Sequence, residues 1–304
     1  MNRTLAISVL VLSLAGCKTV EKTDGRMSVT ASFYPLAFLA EQIGGELVSV
    51  DQITPPGVEP HDYEPTPAQV VDMYSSKVFL MNGGGIDAWG DKLIYELSAK
   101  NIRTVLLTDH ILMIHDHPEG EEHRDDEEIE SDPHVWLSVK NMMSAAEEVE
   151  ASLSSADPEN KNYYAKNAES LILKLENLNQ EFIQGLSNCS QNKVIVSHDA
   201  FGYLAHDYGF ETLAIAGLDP ESEPSAKRIA ELSDFAKANN IQHIFFETLV
   251  SDKLAETIAN EVGATPLVLN PIEGLTDQEQ RNGEDYISLM QMNLKNLRTA
   301  LQCQ

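Results

Sequence analysis

Imidazole and carboxylate groups recur at four separated points of this chain, each in a setting that can aim a side chain. PPGVEPHDYEPTPAQ presents His61 from a loop stiffened by prolines 55, 56, 60, 65 and 67. SDPHVWLS places His134 directly after Pro133. In VIVSHDAFGYLA, His198 follows an apolar strand-like run and precedes a helix, and in LVLNPIEGLT Glu273 follows another such run. Neutral imidazole nitrogen and carboxylate oxygen supply lone pairs to a divalent cation, and a site forms when such groups converge from different elements. Taken singly, none of the four demands a metal. A histidine beside proline is commonly a surface or hydrogen-bonded residue, a histidine at a strand-to-helix turn is also a common catalytic placement, and an acid before glycine is usually solvated.

A longer histidine-bearing stretch runs into the second segment. HDHPEGEEHRDDEEIESDPHVW, residues 115–136, holds four histidines and ten acids against the single Arg124. It divides at Ser131. His115, His117 and His123 sit among acids without apolar periodicity, as in a solvated segment. The segment is read either as a solvating loop or as a weak collector of cations, helped by its negative potential. His134, flanked by Pro133 and Trp136, belongs to ordered structure.

The elements that position these groups alternate in kind. VTASF, ELVSVDQI, KVFLMN and IRTVLLT read as strands, with helices YPLAFLAEQIGG, TPAQVVDMYSS and AWGDKLIYELSAK between them. After residue 187 the pattern repeats: NKVIVS, ETLAIAG, IQHIFFE and TPLVLN as strands, with helices over 199–208, 224–239, 252–262 and 283–301. This alternation predicts an α/β fold of two lobes, each a mostly parallel sheet with flanking helices. Each of the four segments sits where a strand or loop meets a helix, and ligands of open α/β sheets gather at strand carboxyl ends. Between the lobes, residues 157–187 carry Leu171, Leu175, Leu178 and Phe182 at helical spacing, with Asp157 as a cap and Pro158 at the first helical position. About thirty residues give one long rigid helix of roughly 45 Å, which favours loop ordering over wide hinge closure.

The predicted organisation is therefore a signal peptide over 1–16, a tether over 17–27, an N-terminal lobe over 28–156 with the acidic loop 115–132, the linking helix 157–187 and a C-terminal lobe over 188–304. Arg3, the apolar run Leu5–Leu14 and Leu14-Ala15-Gly16-Cys17 form the export signal. The last four residues resemble a bacterial lipobox, which implies lipidation at Cys17; ordinary cleavage with Cys17 incidental is the alternative. The chain is extracytoplasmic and lipid-anchored to the bacterial membrane on this reading.

Removing residues 1–16 takes away one arginine and no acid, shifting the net charge from −27 to −28. So acidic a chain has no basic stripe for nucleic acid, and none for anionic lipid, leaving the acyl chain as the membrane attachment. Cys189 and Cys303 remain in the exported part; they either pair or stay free, with no catalytic role in either case.

Together PGVEPHDYEPTP, DPHVWLS, SHDAFGYLA and NPIEGLT, in that order and on both sides of a long helix, resemble the zinc and manganese solute-binding lipoproteins of bacterial ABC importers, the cluster that includes zinc-uptake binding proteins and streptococcal zinc adhesins. The resemblance spans nearly the whole chain. It implies metal held in an interlobe cleft by His61, His134, His198 and Glu273, with an ABC permease and its ATPase as partners and the chain acting as a monomer. Members thought to favour manganese often carry an acid where this chain has His198, so Zn2+ is the expected cargo and Mn2+ the lesser alternative. Glu59 stands where it can support the site or offer another oxygen. With Glu273 as the one acid, the loaded site has a net charge near plus one. Since ligating imidazole must be neutral, affinity is expected to weaken below about pH 6.

Other readings fare worse. A zinc hydrolase keeps an open position for water, whereas Glu273 fills the fourth position and no His-Glu-x-x-His occurs. NGGGIDAW lacks the spacing and lysine of a phosphate-binding loop, so its glycines serve a tight turn or a close approach. His206 and His243 read as structural, and Trp89 and Trp136 as packing near the cleft. A surface adhesin role finds no host ligand encoded in the sequence.

Overall fold

The structure is a computed structural model and describes residues 25–111 and 132–304. The N-terminal lobe runs β1 (Met27–Ala31), α1 (Tyr34–Gly44), β2 (Val48–Gln52), α2 (Pro67–Met73), β3 (Val78–Met81), α3 (Leu93–Ala99) and β4 (Arg103–Leu106). Two helices follow, α4 (Val139–Ala156) and α5 (Lys161–Gly185). The C-terminal lobe runs β5 (Lys193–Val196), α6 (Gly202–Tyr208), β6 (Glu211–Ala214), α7 (Ala226–Ala238), β7 (His243–Phe246), α8 (Lys253–Val262), β8 (Thr265–Val268), α9 (Asp277–Asn282) and α10 (Tyr286–Ala300).

Each lobe holds a parallel four-stranded sheet, in the orders β2-β1-β3-β4 and β6-β5-β7-β8. The two orders are the same pattern. In each, the chain leaves the first strand to one side and returns on the other, opening a crevice at the strand carboxyl ends. Some helices begin where the sequence supplies caps: Thr66 and Gln69 form a capping box on α2, and Ser138 caps α4.

The central core is shared by both lobes. Val29 and Leu80 of the first sheet, Val194, Val196 and Phe245 of the second, and α1, α4, α5 and α10 contribute to one continuous buried cluster. A smaller cluster around Ile53, Met73 and Phe79 backs the first sheet, and another around Ile195, Leu232 and Ile258 backs the second. A cleft whose walls rest on one core moves as a unit more readily than it opens, because packed interiors transmit strain.

Three elements differ from expectation. The linking helix α5 begins at Lys161, after a 3-10 turn over Pro158–Asn160, and its 25 residues span about 37 Å. Asp157 does not cap it; its carboxylate accepts from Asn160 Nδ2 at 2.7 Å and Tyr164 Oη at 2.8 Å. Helix α4, not anticipated, packs along α5, burying Val139, Met142, Ala146, Val149 and Leu153. Helix α9 was likewise not expected; Gly283 in the left-handed region ends it before Asp285 caps α10, so the last helix runs over 286–300 rather than 283–301. Cys189 and Cys303 form a disulfide that closes the C-terminal end onto the loop before β5. Among the described residues no helix is long and apolar enough to cross a membrane.

Candidate metal centre

Four arms reach one point, three from loops that follow β2, β5 and β8 and one from the loop before α4. His61 lies in the loop between β2 and α2, cinched at its base by Gln69, whose Nε2 donates to the Ile53 carbonyl at 2.8 Å while its Oε1 accepts from Tyr63 Oη at 2.9 Å. The Glu59 carboxylate accepts the His61 backbone N–H, with oxygens at 3.0 and 3.1 Å. His134 stands in the loop just before α4 and is held through its neighbours. Asn82, at the end of β3, donates to the Pro133 carbonyl at 2.8 Å, and Asn82 itself is pinned by its N–H to Asp87 at 2.7 Å. Asp87 also accepts from the Gly83 N–H at 2.8 Å, folding residues 82–87 into the tight turn that the glycines permit.

His198 stands just beyond β5, and Glu273 beyond β8. Before Glu273, buried Ile272 takes φ 57°, a left-handed conformation that β-branched residues rarely adopt. Asn270 Oδ1 accepts the Ile272 N–H at 2.7 Å and holds the bend.

His61 Nε2 lies 3.3 Å from His134 Nε2, and His134 Nε2 lies 3.2 Å from His198 Nε2. Glu273 Oε1 is 3.6, 3.5 and 3.6 Å from the Nε2 atoms of His61, His134 and His198. Bonds of about 2.0–2.1 Å in a tetrahedron put ligand atoms about 3.3–3.4 Å apart, so the spacing fits a zinc-sized ion. Glu273 Oε1 is buried without a hydrogen-bond partner, which is the condition of an atom that ligates. His134, His198 and Glu273 are 0–1% exposed and His61 is 12% exposed, so His61 is the arm nearest solvent.

Electrostatics follow from burial and mutual contact. Burial alone would raise the Glu273 carboxyl, but the imidazoles of His134, His198 and His61 overcome it and hold it well below the ordinary range. Burial would lower His198; Glu247 and Glu273 instead leave it well above the ordinary imidazole value, and Asp132 and Glu273 raise His134 in the same way. Glu59 is pushed up to about 8 by burial and by the nearby Glu273.

The structure brings His61, His134, His198 and Glu273 together and leaves Glu59 behind His61, outside that group. His115, His117, His123 and Cys17 lie outside the described residues. Two carboxylates went unread in the sequence. Asp132 Oδ1 accepts from both the backbone N–H and Nδ1 of His134, at 2.9 and 2.8 Å. Glu247 Oε1 lies 2.6 Å from His198 Nδ1 and also accepts from the Ser197 hydroxyl. Each leaves Nε2 as the free nitrogen facing the centre. Their signals were present: Asp132 is two residues before His134, and Glu247 closes the strand run IQHIFFE. With them included, a divalent ion gives a formal sum of minus one rather than plus one. Trp136 packs at 5.2 Å on the His134 ring, but Trp89 does not line the centre; it packs on Phe79 behind the first sheet. His206 is exposed beside Asp207, and His243 sits at the start of β7, both apart from the centre.

The family model for the zinc-uptake complex component A, periplasmic, matches residues 29–300. The zinc-binding lipoprotein AdcA of Streptococcus pneumoniae strain R6 is 37% identical over 97% of this chain, which covers 60% of that relative. The chain thus spans about three fifths of the AdcA relatives' length. The high-affinity zinc uptake system protein ZnuA of Bacillus subtilis is 35% identical over 97% of this chain and 95% of its own. The crystal structure of the Zn(II)-bound ZnuA-like domain of S. pneumoniae AdcA superposes with a TM-score of 0.79 at 37% identity, covering 91% of this chain and 99% of that domain.

Proposed function

This chain belongs to the family of periplasmic zinc-uptake complex component A proteins, and we propose that it captures zinc outside the cytoplasm and delivers it to the permease of an ABC importer. The observation that carries this reading is the set of three Nε2 atoms and one carboxylate oxygen at tetrahedral spacing, with that oxygen otherwise unpartnered. Three imidazoles and one carboxylate suit zinc better than manganese, which prefers oxygen. A fourth protein ligand leaves no position for an attacking water, so the arrangement supports capture over hydrolysis.

The residues divide the work. His134, His198 and Glu273 are buried and held by neighbours before metal arrives, while partly exposed His61 completes the set last. Capture therefore needs ordering of the loop around His61 more than closure of two lobes. The lipobox-like Leu14–Cys17 supports a lipid anchor at Cys17, and a cytoplasmic ATPase would supply the work of transport. The chain acts as a monomer that docks on the permease.

Calorimetric titration of metal-free protein with zinc and with manganese, joined to anomalous scattering from a zinc-loaded crystal, tests the reading. One tight zinc per chain on these four residues, with manganese weaker, is expected. Absence of tight zinc binding, or an ion placed elsewhere, would overturn it. Replacing His115, His117 and His123 together is expected to leave the tight site in place, whereas His198→Ala removes it.

A further inference from the structure

We propose that Trp136 is a positioning residue that couples His134 to Glu273 across the cleft before metal arrives, by donating its indole N–H to the Pro271 carbonyl. The inference rests on the zinc-capture reading and assigns a role to a residue that touches no metal. Trp136 is 1% exposed and lies two residues after His134; its Nε1 reaches the Pro271 oxygen at 2.7 Å, two residues before Glu273. One side chain from the N-terminal half is thus bonded to the backbone that presents the carboxylate of the C-terminal half.

Trp136 itself is fixed on two sides. Its carbonyl accepts from Tyr286 Oη at 2.6 Å, and its ring meets Phe33 edge-on at 4.9 Å. An indole has a single N–H to donate, and here it is committed to the Glu273 arm. Residues 270–273 need such a clamp, because Ile272 sits at φ 57° and a β-branched residue leaves that region unless its surroundings hold it. Asn270 clamps the bend from within the C-terminal half, its own N–H bonded to Asn293 Oδ1 at 2.8 Å. Trp136 clamps it from the other half. Without the indole N–H, the Pro271 carbonyl is buried without that partner, and rotation of residues 271–273 relieves both the lost bond and the strain. That rotation carries the Glu273 oxygen away from the three Nε2 atoms. The same bond must break when the Glu273 arm parts from the His134 arm, so it resists zinc release.

The test measures zinc loss from the full chain to an excess of chromogenic chelator, together with the melting temperature of the metal-free protein. Trp136→Phe keeps an aromatic ring and removes the N–H; it is expected to release zinc about ten- to a hundred-fold faster. In a Glu273→Gln background the same change is expected to matter by less than about three-fold, because the residue it positions is already altered. Tyr286→Phe loosens Trp136 without touching either ligand, and a smaller acceleration is expected; it decides the matter if Trp136→Phe does not fold. Wild-type release rates in whichever of these single variants folds, or an undiminished Trp136→Phe effect in the Glu273→Gln background, overturn the coupling while leaving zinc capture standing. A wild-type protein that holds no zinc overturns the capture reading and the coupling with it.

Discussion

Glu247 Oε1 lies 2.6 Å from His198 Nδ1, with both side chains buried, so the far nitrogen of the ring is the one turned toward the centre. The carboxylate fixes the ring's rotation and tautomer and raises its basicity as a ligand. Glu247→Ala is expected to weaken zinc binding about ten- to a hundred-fold, with Glu247→Gln recovering part of the loss through its remaining acceptor. Competition titration against a chelator of known affinity measures it; wild-type affinity in Glu247→Ala would remove Glu247 from the site.

Gly202 opens α6 against Asp132, and a Cβ there would stand 2.7 Å from Asp132 Oδ2. The carboxylate would have to shift, and it is the group that accepts from His134 Nδ1. Alanine is the better helix former by about 1 kcal/mol, so Gly202→Ala is not expected to cost the helix. The expected result is a folded protein with zinc affinity lowered by about ten-fold. A melting temperature at or above wild type with unchanged affinity would show that Asp132 tolerates the intrusion.

Zinc affinity should rise with pH, over a range higher than the residue types alone suggest. An imidazolium cannot ligate. Burial lowers His134 and His198, but Asp132, Glu247 and Glu273 leave both above the ordinary value of 6.5, so the metal-free site holds protons that zinc must displace. Falling pH keeps those protons in place and weakens binding; rising pH removes them. Glu59, pushed up to about 8, extends the rise as it gains its negative charge. Affinity is expected to climb between about pH 6.5 and pH 8.5, with proton release on binding. A flat profile across that interval would contradict the assignment of imidazole ligands.

The Cys189–Cys303 bond joins residues 114 apart and lies outside the metal centre. Closing so long a loop restricts the unfolded chain and contributes about 3–5 kcal/mol. Replacing both cysteines by serine is expected to lower the melting temperature of the metal-free protein by several degrees while leaving zinc stoichiometry at one. Loss of zinc binding along with the bond would mean that the C-terminal closure reaches the site.

Much of the fold was legible because each half obeys local rules. Seven of the eight strands fall within the predicted apolar runs and β1 begins two residues before its own, since β-rich segments between helical ones carry their own pattern. Helix α4 escaped although Val139, Met142, Ala146, Val149 and Leu153 keep helical spacing; its acids Glu147, Glu148 and Glu150 lie off that buried face, as an amphipathic helix requires. Helix α9 escaped because its six residues, DQEQRN, include no apolar side chain to mark a period.

The ligand types were written in the sequence: a proline-stiffened His61, His134 after Pro133, His198 and Glu273 at strand ends. Those are local properties, because side-chain chemistry and the ends of strands depend on a few neighbouring residues. Whether four such groups bring their ligand atoms within 4.8 Å of one another is not local. It depends on a core shared by both sheets, on the packing of α4 against α5, and on hydrogen bonds such as Glu247 to His198 and Trp136 to Pro271, whose partners lie 49 and 135 residues apart. Pairs so distant leave no periodic mark on the chain, and only tertiary packing sets the separations on which metal geometry depends.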